Sequence, residues 1–248
     1  MMRISGYCLF ATLIVTGGFQ KTARADVRVP ALIGDNMVLQ RDRQDCIWGT
    51  ADPGEQVTVD LLHQALQTVA DKQGHWQVFT QPMKAGGPYE LTITGKNSVV
   101  FKNILIGEVW VCSGQSNMQF ALVNSQGGKD AIGDAASYPD IRLFSVTRKT
   151  SATPLDDVNG KWLENSPKTA GEFSAVGYYF GRELYRRLKV PIGLIHSSWG
   201  GTPAEAWTSH EMLASIPSLK PILDRYDASL RELPERQRDY LKAVAEWD

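Results

Sequence analysis

The sequence predicts an antiparallel β-sandwich followed by an α/β unit, and three observations carry that prediction. Short β-type runs recur between turn residues from Val27 to about Ile106, an apolar run at Val109–Cys112 leads through a serine-bearing loop into a helical segment, and a second apolar run near Ile192 ends in another glycine-rich loop. Regularly spaced short strands indicate a sandwich. Strand–loop–helix units indicate a parallel sheet with ligands beyond its strand ends.

The first 25 residues place Arg3 before a short apolar run and end in Ala23-Arg24-Ala25, a small-x-small cleavage pattern. The expectation is an export leader over residues 1–25, a mature start at Asp26, and a periplasmic or extracellular destination. The apolar run from Ile4 to Phe19 holds three glycines and falls short of the roughly 20 residues that span a bilayer, so no stable membrane anchor is expected.

Residues 26–106 form the expected sandwich domain. Its candidate strands are Val38–Gln40, Cys46–Trp48, Gln56–Asp60, Trp76–Phe79 and Tyr89–Ile93, separated by breakers such as Asp52-Pro53-Gly54 and Gly86-Gly87-Pro88. Val57, Val59 and Leu61 alternate with polar residues, as one buried face requires.

Residues 107–248 form the expected α/β part. Val109–Cys112 reads as a strand buried on both faces, followed by Ser113-Gly114-Gln115-Ser116-Asn117 and a helical opening at Met118. Ser174 can cap a helix from Ala175 to about Leu188, with Val176, Phe180, Leu184 and Leu188 on its apolar face and Gly177 and Gly181 permitting close approach to a sheet. Val190–Ile195 is the second buried strand, before His196-Ser197-Ser198-Trp199-Gly200-Gly201-Thr202. The tail from Glu211 reads as helix broken near Pro217 and Pro221. Two parallel strands are too few for a complete sheet of this kind, so the parallel sheet is expected to be incomplete in this chain.

Composition narrows the functions. The 248 residues carry a formal net charge of −1 with no long Lys/Arg run, so the basic patch that nucleic acid requires is missing. Beyond residue 25 only Cys46 and Cys112 remain; they make neither a disulfide scaffold nor a zinc cluster, and they are expected to be unbridged.

Nucleophilic serine catalysis needs a hydroxyl on a tight exposed turn, a base in reach, and backbone N–H groups aimed at the developing oxyanion. Ser116 meets the first requirement, with Gly114 allowing the turn. Gly-x-Ser alone also describes an ordinary helix cap. The Gly-x-Ser-x-Gly elbow of α/β-hydrolases does not fit, because Met118 stands at the second glycine.

Longer strings add to this reading. GEVWVCSGQSNM, FSAVGYYFGRELYRRLKVPIGLI and SSWGGTPAEAW, with NMVLQRD, PGEQVTV and GGPYELTI before them, together resemble the sialate O-acetylesterase family, a branch of the SGNH-type carbohydrate esterases, from Asp26 to about Ser209. The resemblance implies an SGNH-hydrolase-like sheet, Ser116 as nucleophile, and Gly200 or Gly201 as the glycine of the oxyanion loop. Gln115, Asn117, His196 and Glu205 become candidate substrate-site residues, and Trp207 a candidate for shaping the site.

The family's QGESN-like string and its Asp-x-x-His-type string, which brings the catalytic histidine, do not occur here. The resemblance therefore implies that this is the N-terminal half of such an esterase, inactive alone. His63 and His75 read as solvated strand or turn residues; His196 is the better-placed histidine, with hydrogen-bonded packing the favoured reading for it, and His210 ranks below it as a base. The expected activity is hydrolysis of O-acetyl groups on sialic acids or related sugars, without metal or organic cofactor. An acetylxylan or other polysaccharide acetylesterase and a noncatalytic sugar-binding or scaffold fragment are the alternatives.

Overall fold

Apolar alternation organises the first half of the chain as expected. The computed structural model describes residues 26–151 and 153–247; the expected leader and Asp248 lie outside them. The first strands are β1 (Val38–Gln40), β2 (Cys46–Thr50), β3 (Gln56–Leu61), β4 (Gln64–Val69), β5 (His75–Phe79) and β6 (Gly86–Thr94). β4, β3 and β6 pair antiparallel in one sheet, while β2 and β5 form a separate two-stranded layer. Ile47, Trp76 and Val78 of that layer share one core with Val57, Val59, Leu61, Leu91 and Ile93.

β4 escapes a sequence reading for two reasons. As an edge strand it buries no residue fully, and its hairpin lacks the usual Asn-Gly signal. Leu62 and His63 make the turn with φ of 50° and 63°, the left-handed geometry that two-residue hairpin loops demand and that glycine or asparagine adopts more easily.

β7 (Ser98–Gly114) joins the two halves. It pairs antiparallel with β6 as far as Ile106 and parallel with a later strand from Glu108 onward, while β1 lies parallel to it at Leu105–Gly107. The strand therefore crosses position 106 without interruption. At the handover, Glu108 N–H donates to Pro191 O at 2.9 Å, and a Cβ on Gly107 would lie 2.0 Å from that oxygen.

After β7 come α1 (Ser116–Gln119), α2 (Gly128–Gly133), β8 (Ile141–Ser145), β9 (Trp162–Glu164), α3 (Ala175–Leu188) and β10 (Ile192–Ser198). The order β7-β10-β8-β9 contains three parallel strands, one more than expected, with β9 antiparallel at the edge. β8 was hidden by Arg142, a charged residue inside an apolar run. That arginine is 3% exposed, donates to Pro139 O, and sits 3.6 Å from the Glu164 carboxylate.

α3 spans the expected residues, and Ser174 Oγ accepts from Gly177 N–H at 3.1 Å. Its buried face differs from the apolar stripe. Ala175, Gly177, Tyr178 and Gly181 face inward, whereas Val176, Phe180 and Leu188 are exposed. The small residues decide the docking: a Cβ on Gly177 would meet Cys112 Sγ at 3.1 Å, and one on Gly181 would meet Leu194 at 2.6 Å. A helix this close to the sheet presents its glycines to the strands and leaves bulkier neighbours outside.

The second half of β7 also departs from expectation. Trp110 is 43% and Val111 67% exposed, so among the described residues nothing covers both faces of this strand. β8 is the contrast, with Phe144 in the core of the antiparallel half and Ile141 and Leu143 in the core beneath α3. The chain continues through α4 (His210–Ser215) to α5 (Lys220–Trp247), which runs unbroken past Pro221 and Pro234 and buries no residue. The break expected at Pro221 is absent, because proline in a first helical turn removes no required N–H.

Candidate active site

The parallel strands β7 and β10 place two loops side by side. Ser198 on β10 is paired with Gly114 on β7, and Trp199 N–H donates to Gly114 O at 3.0 Å. Gly114 has φ +142°, a conformation that a side chain disfavours, and it turns the chain into Gln115 and then Ser116 at the head of α1. Ser116 is exposed. A Cβ on Gly200 would lie 3.3 Å from Ser116 Oγ, so the two loops meet at the hydroxyl.

Two backbone N–H groups belong to this junction. Ser116 N–H donates to Gln115 Oε1 at 3.1 Å, and Gly200 N–H to Gln119 Oε1 at 2.5 Å. Each is held by a neutral amide oxygen from the chain itself, an acceptor that a negatively charged oxygen would outcompete. Ser116 Oγ also donates to Gln115 Oε1, at 2.9 Å. An amide oxygen is no base at neutral pH, so this bond orients the hydroxyl without activating it. Gly201, with φ +80° and open space where a Cβ would point, supports the turn rather than the junction.

His196 is engaged elsewhere. Its Nε2 lies 2.6 Å from Ser198 Oγ, a Met118 backbone group also hydrogen-bonds the ring, and Phe173 packs edge-on at 5.3 Å. Burial pushes its pKa down, and the neighbouring Arg148 charge adds to that effect while the Met118 bond opposes it. The neutral ring is thus a wall of the site, hydrogen-bonded to the residue two places after Ser116.

The other histidines lie apart. His63 is in the β3–β4 turn, His75 pairs with Asp71 at 3.7 Å, and His210 opens α4. Asn117 is exposed on α1 and Glu205 half-buried on the turn after the glycine loop. Trp207 donates to Thr202 Oγ1 at 2.8 Å and Thr202 to Trp199 O at 2.7 Å, which fastens the loop carrying Gly200. Both cysteines are free: Cys46 in β2 and Cys112 in β7 under α3, each with its thiol pKa raised by burial.

No protein-family model matches the chain. Relatives named sialate O-acetylesterase do: the mouse protein is 33% identical over 256 residues, covering 90% of this chain and 47% of its own length. The human protein is 37% identical over 214 residues, 78% of this chain and 41% of that protein. A crystal structure titled as a novel carbohydrate acetylesterase from Xanthomonas citri superposes with a TM-score of 0.74 at 35% identity, over 76% of this chain and 44% of that one. The chain belongs to the sialate O-acetylesterase family.

It spans less than half the length of these curated relatives. Family resemblance pointed to Ser116 and the 200–201 glycines, and the geometry brings Ser116 and Gly200 together. It does not pick out Gln119, whose amide reaches Gly200 across 81 positions in sequence, or Arg148, which joins the site through tertiary packing alone. No local pattern marks either residue.

Proposed function

We propose that this chain is the nucleophile-bearing part of a serine esterase that removes O-acetyl groups from sialic acids or related sugars. The observation that carries the reading is Ser116 Oγ set against Gly200, with the N–H groups of both residues held by displaceable amide oxygens. Ser116 Oγ would attack the acetyl carbonyl and pass its proton to a base. The N–H groups of Ser116 and Gly200 would bind the resulting oxyanion. The sugar hydroxyl would leave with that proton, and water would release acetate from the acetyl-serine.

The base is the missing part. His63 and His75 are exposed in the antiparallel half and His210 is exposed at the start of α4; among the described residues none of them hydrogen-bonds Ser116, and His196 is committed to Ser198 and Met118. We therefore place the base in polypeptide beyond the residues described, matching the larger size of the relatives. The exposed Trp110 and Val111 on a parallel strand are where such polypeptide would pack, and the division near residue 106 would mark off an accessory β domain. The leader-like first 25 residues support export. The test is acetate release from an activated acetyl ester by the full-length protein and by its Ser116→Ala variant. Equal rates would end the reading.

A further inference from the structure

A cavity of about 410 Å³ opens at the same end of the sheet as Ser116, lined by Ser145, Val146, Thr147, Arg148, Glu172, His196 and Ser198. Its walls are the ends of β8 and β10. In parallel sheets ligands bind at this end, and Ser198 is the strand partner of Gly114, two residues before Ser116. The cavity therefore borders the proposed acetyl site without containing it.

The charges on its walls are arranged for a ligand. Arg148 Nε donates to Ser198 O at 3.3 Å, and its guanidinium lies 6.0 Å from the centre of the Trp199 ring. These contacts engage the Nε edge and the face of the guanidinium, and among the described residues its terminal N–H groups make no hydrogen bond to the protein. Among the described residues Arg148 makes no ion pair, and neither does Glu172 on the same cavity, although opposite charges there could have neutralised each other. An exposed ion pair is worth little, whereas a fixed guanidinium binds a carboxylate through two parallel hydrogen bonds. His196 beside it adds no positive charge at neutral pH, because burial lowers its pKa.

We propose that this cavity is a specificity subsite in which Arg148 binds the carboxylate of an acidic sugar while its acetyl group lies at Ser116. The inference rests on the esterase reading for the acetyl half, but the carboxylate subsite stands or falls by binding alone. Glu172 would accept hydrogen bonds from the sugar hydroxyls across the cavity. A neutral acetylated sugar, as in xylan, leaves Arg148 unpaired and binds less well. The subsite thus separates an acidic-sugar esterase from a neutral-polysaccharide one.

The test is binding of N-acetylneuraminate and of its methyl ester to the 248-residue chain, measured by calorimetry or ligand-detected NMR. The two probes differ only at the carboxyl group, which is charged in the acid and capped by a methyl group in the ester. The acid should bind at least about tenfold more tightly than the ester, as expected for a charge-assisted bidentate contact. Arg148→Gln should remove that difference, and Lys72→Gln, which deletes a positive charge on an exposed turn far along the chain, should leave it intact. Melting curves of both variants control for folding.

Equal affinity for acid and ester, or a preference that survives Arg148→Gln, overturns the subsite. The esterase reading is judged separately, by Ser116-dependent acetate release from 4-nitrophenyl acetate, which carries no carboxylate, with the full-length protein. Acetate release without acid preference defeats the subsite and leaves the esterase. Acid preference without Ser116-dependent release supports the subsite and defeats the esterase.

Discussion

Ser116 derives its setting from two amides that look incidental in the sequence. Gln115 Oε1 holds both the hydroxyl and the N–H of Ser116, and Gln119 Oε1 holds the N–H of Gly200. Ser116 and the adjacent Gly200 were singled out by the family strings, and the structure brings the two together. The amides' positions were not, because a side chain's reach depends on which loop lies opposite. Titratable groups follow the same rule. Burial raises the Asp45 pKa to about 6, well above the ordinary carboxylate range, against a weaker lowering by the hydrogen bond from the Gln40 N–H. A raised folded pKa contributes stability that is complete below the unfolded value and is lost as pH rises through about 6. His196 acts oppositely: its lowered folded pKa contributes stability above 6.5, lost as pH falls below that value. Denaturation midpoints from pH 4 to 8 should therefore show Asp45→Asn removing a gain on acidification, on the order of 1 kcal/mol once solvent screening of this partly exposed group is allowed for. His196→Gln should remove a loss. Unchanged pH slopes in both variants would show that neither group is perturbed as described.

Elements were read well where the pattern was local. The helix at Ala175–Leu188 was legible from its Ser174 cap and the residues around Pro191, and its glycines pointed to close packing. Its face was misjudged, because the contacts that seat it come from Gly177 and Gly181, and glycine does not register in an apolar stripe. β4 and β8 stayed hidden behind an atypical turn and a buried arginine. Two substitutions test these elements. His63→Gly relieves a left-handed non-glycine residue on an exposed turn and should raise stability by roughly 0.5–1 kcal/mol in urea denaturation. Gly107→Ala should lower it by about 3 kcal/mol or more, because the added Cβ would meet the Pro191 backbone and no side-chain rotation can clear it. A neutral Gly107→Ala would mean that β7 and β10 do not close as described.

At the scale of the molecule, one strand holds two kinds of sheet. β7 closes the antiparallel half through Ile104 and Ile106, then serves the parallel half beside β10. Its second half leaves Trp110 and Val111 exposed on opposite faces, and the Phe180 ring meets Trp110 edge-on at 5.1 Å. The sequence pattern predicted burial on both faces there, and among the described residues that burial is not found. In this chain Val111→Lys should change stability by less than about 0.5 kcal/mol, as for other exposed sites, and should reduce binding of a hydrophobic dye. In the full-length protein the same substitution should destabilise markedly. Equal effects in both would show that no polypeptide packs on this strand.

The proposal that Ser116 attacks an acetyl ester with help from a base outside the described residues is tested most directly by acetate release from 4-nitrophenyl acetate. The full-length protein should turn it over, the 248-residue chain alone should do so poorly or not at all, and Ser116→Ala in the full-length protein should lose about 10³-fold or more. The melting temperature should move little, since one exposed hydroxyl contributes at most about 1 kcal/mol. Full activity in Ser116→Ala, or full activity in the 248-residue chain alone, would contradict the account.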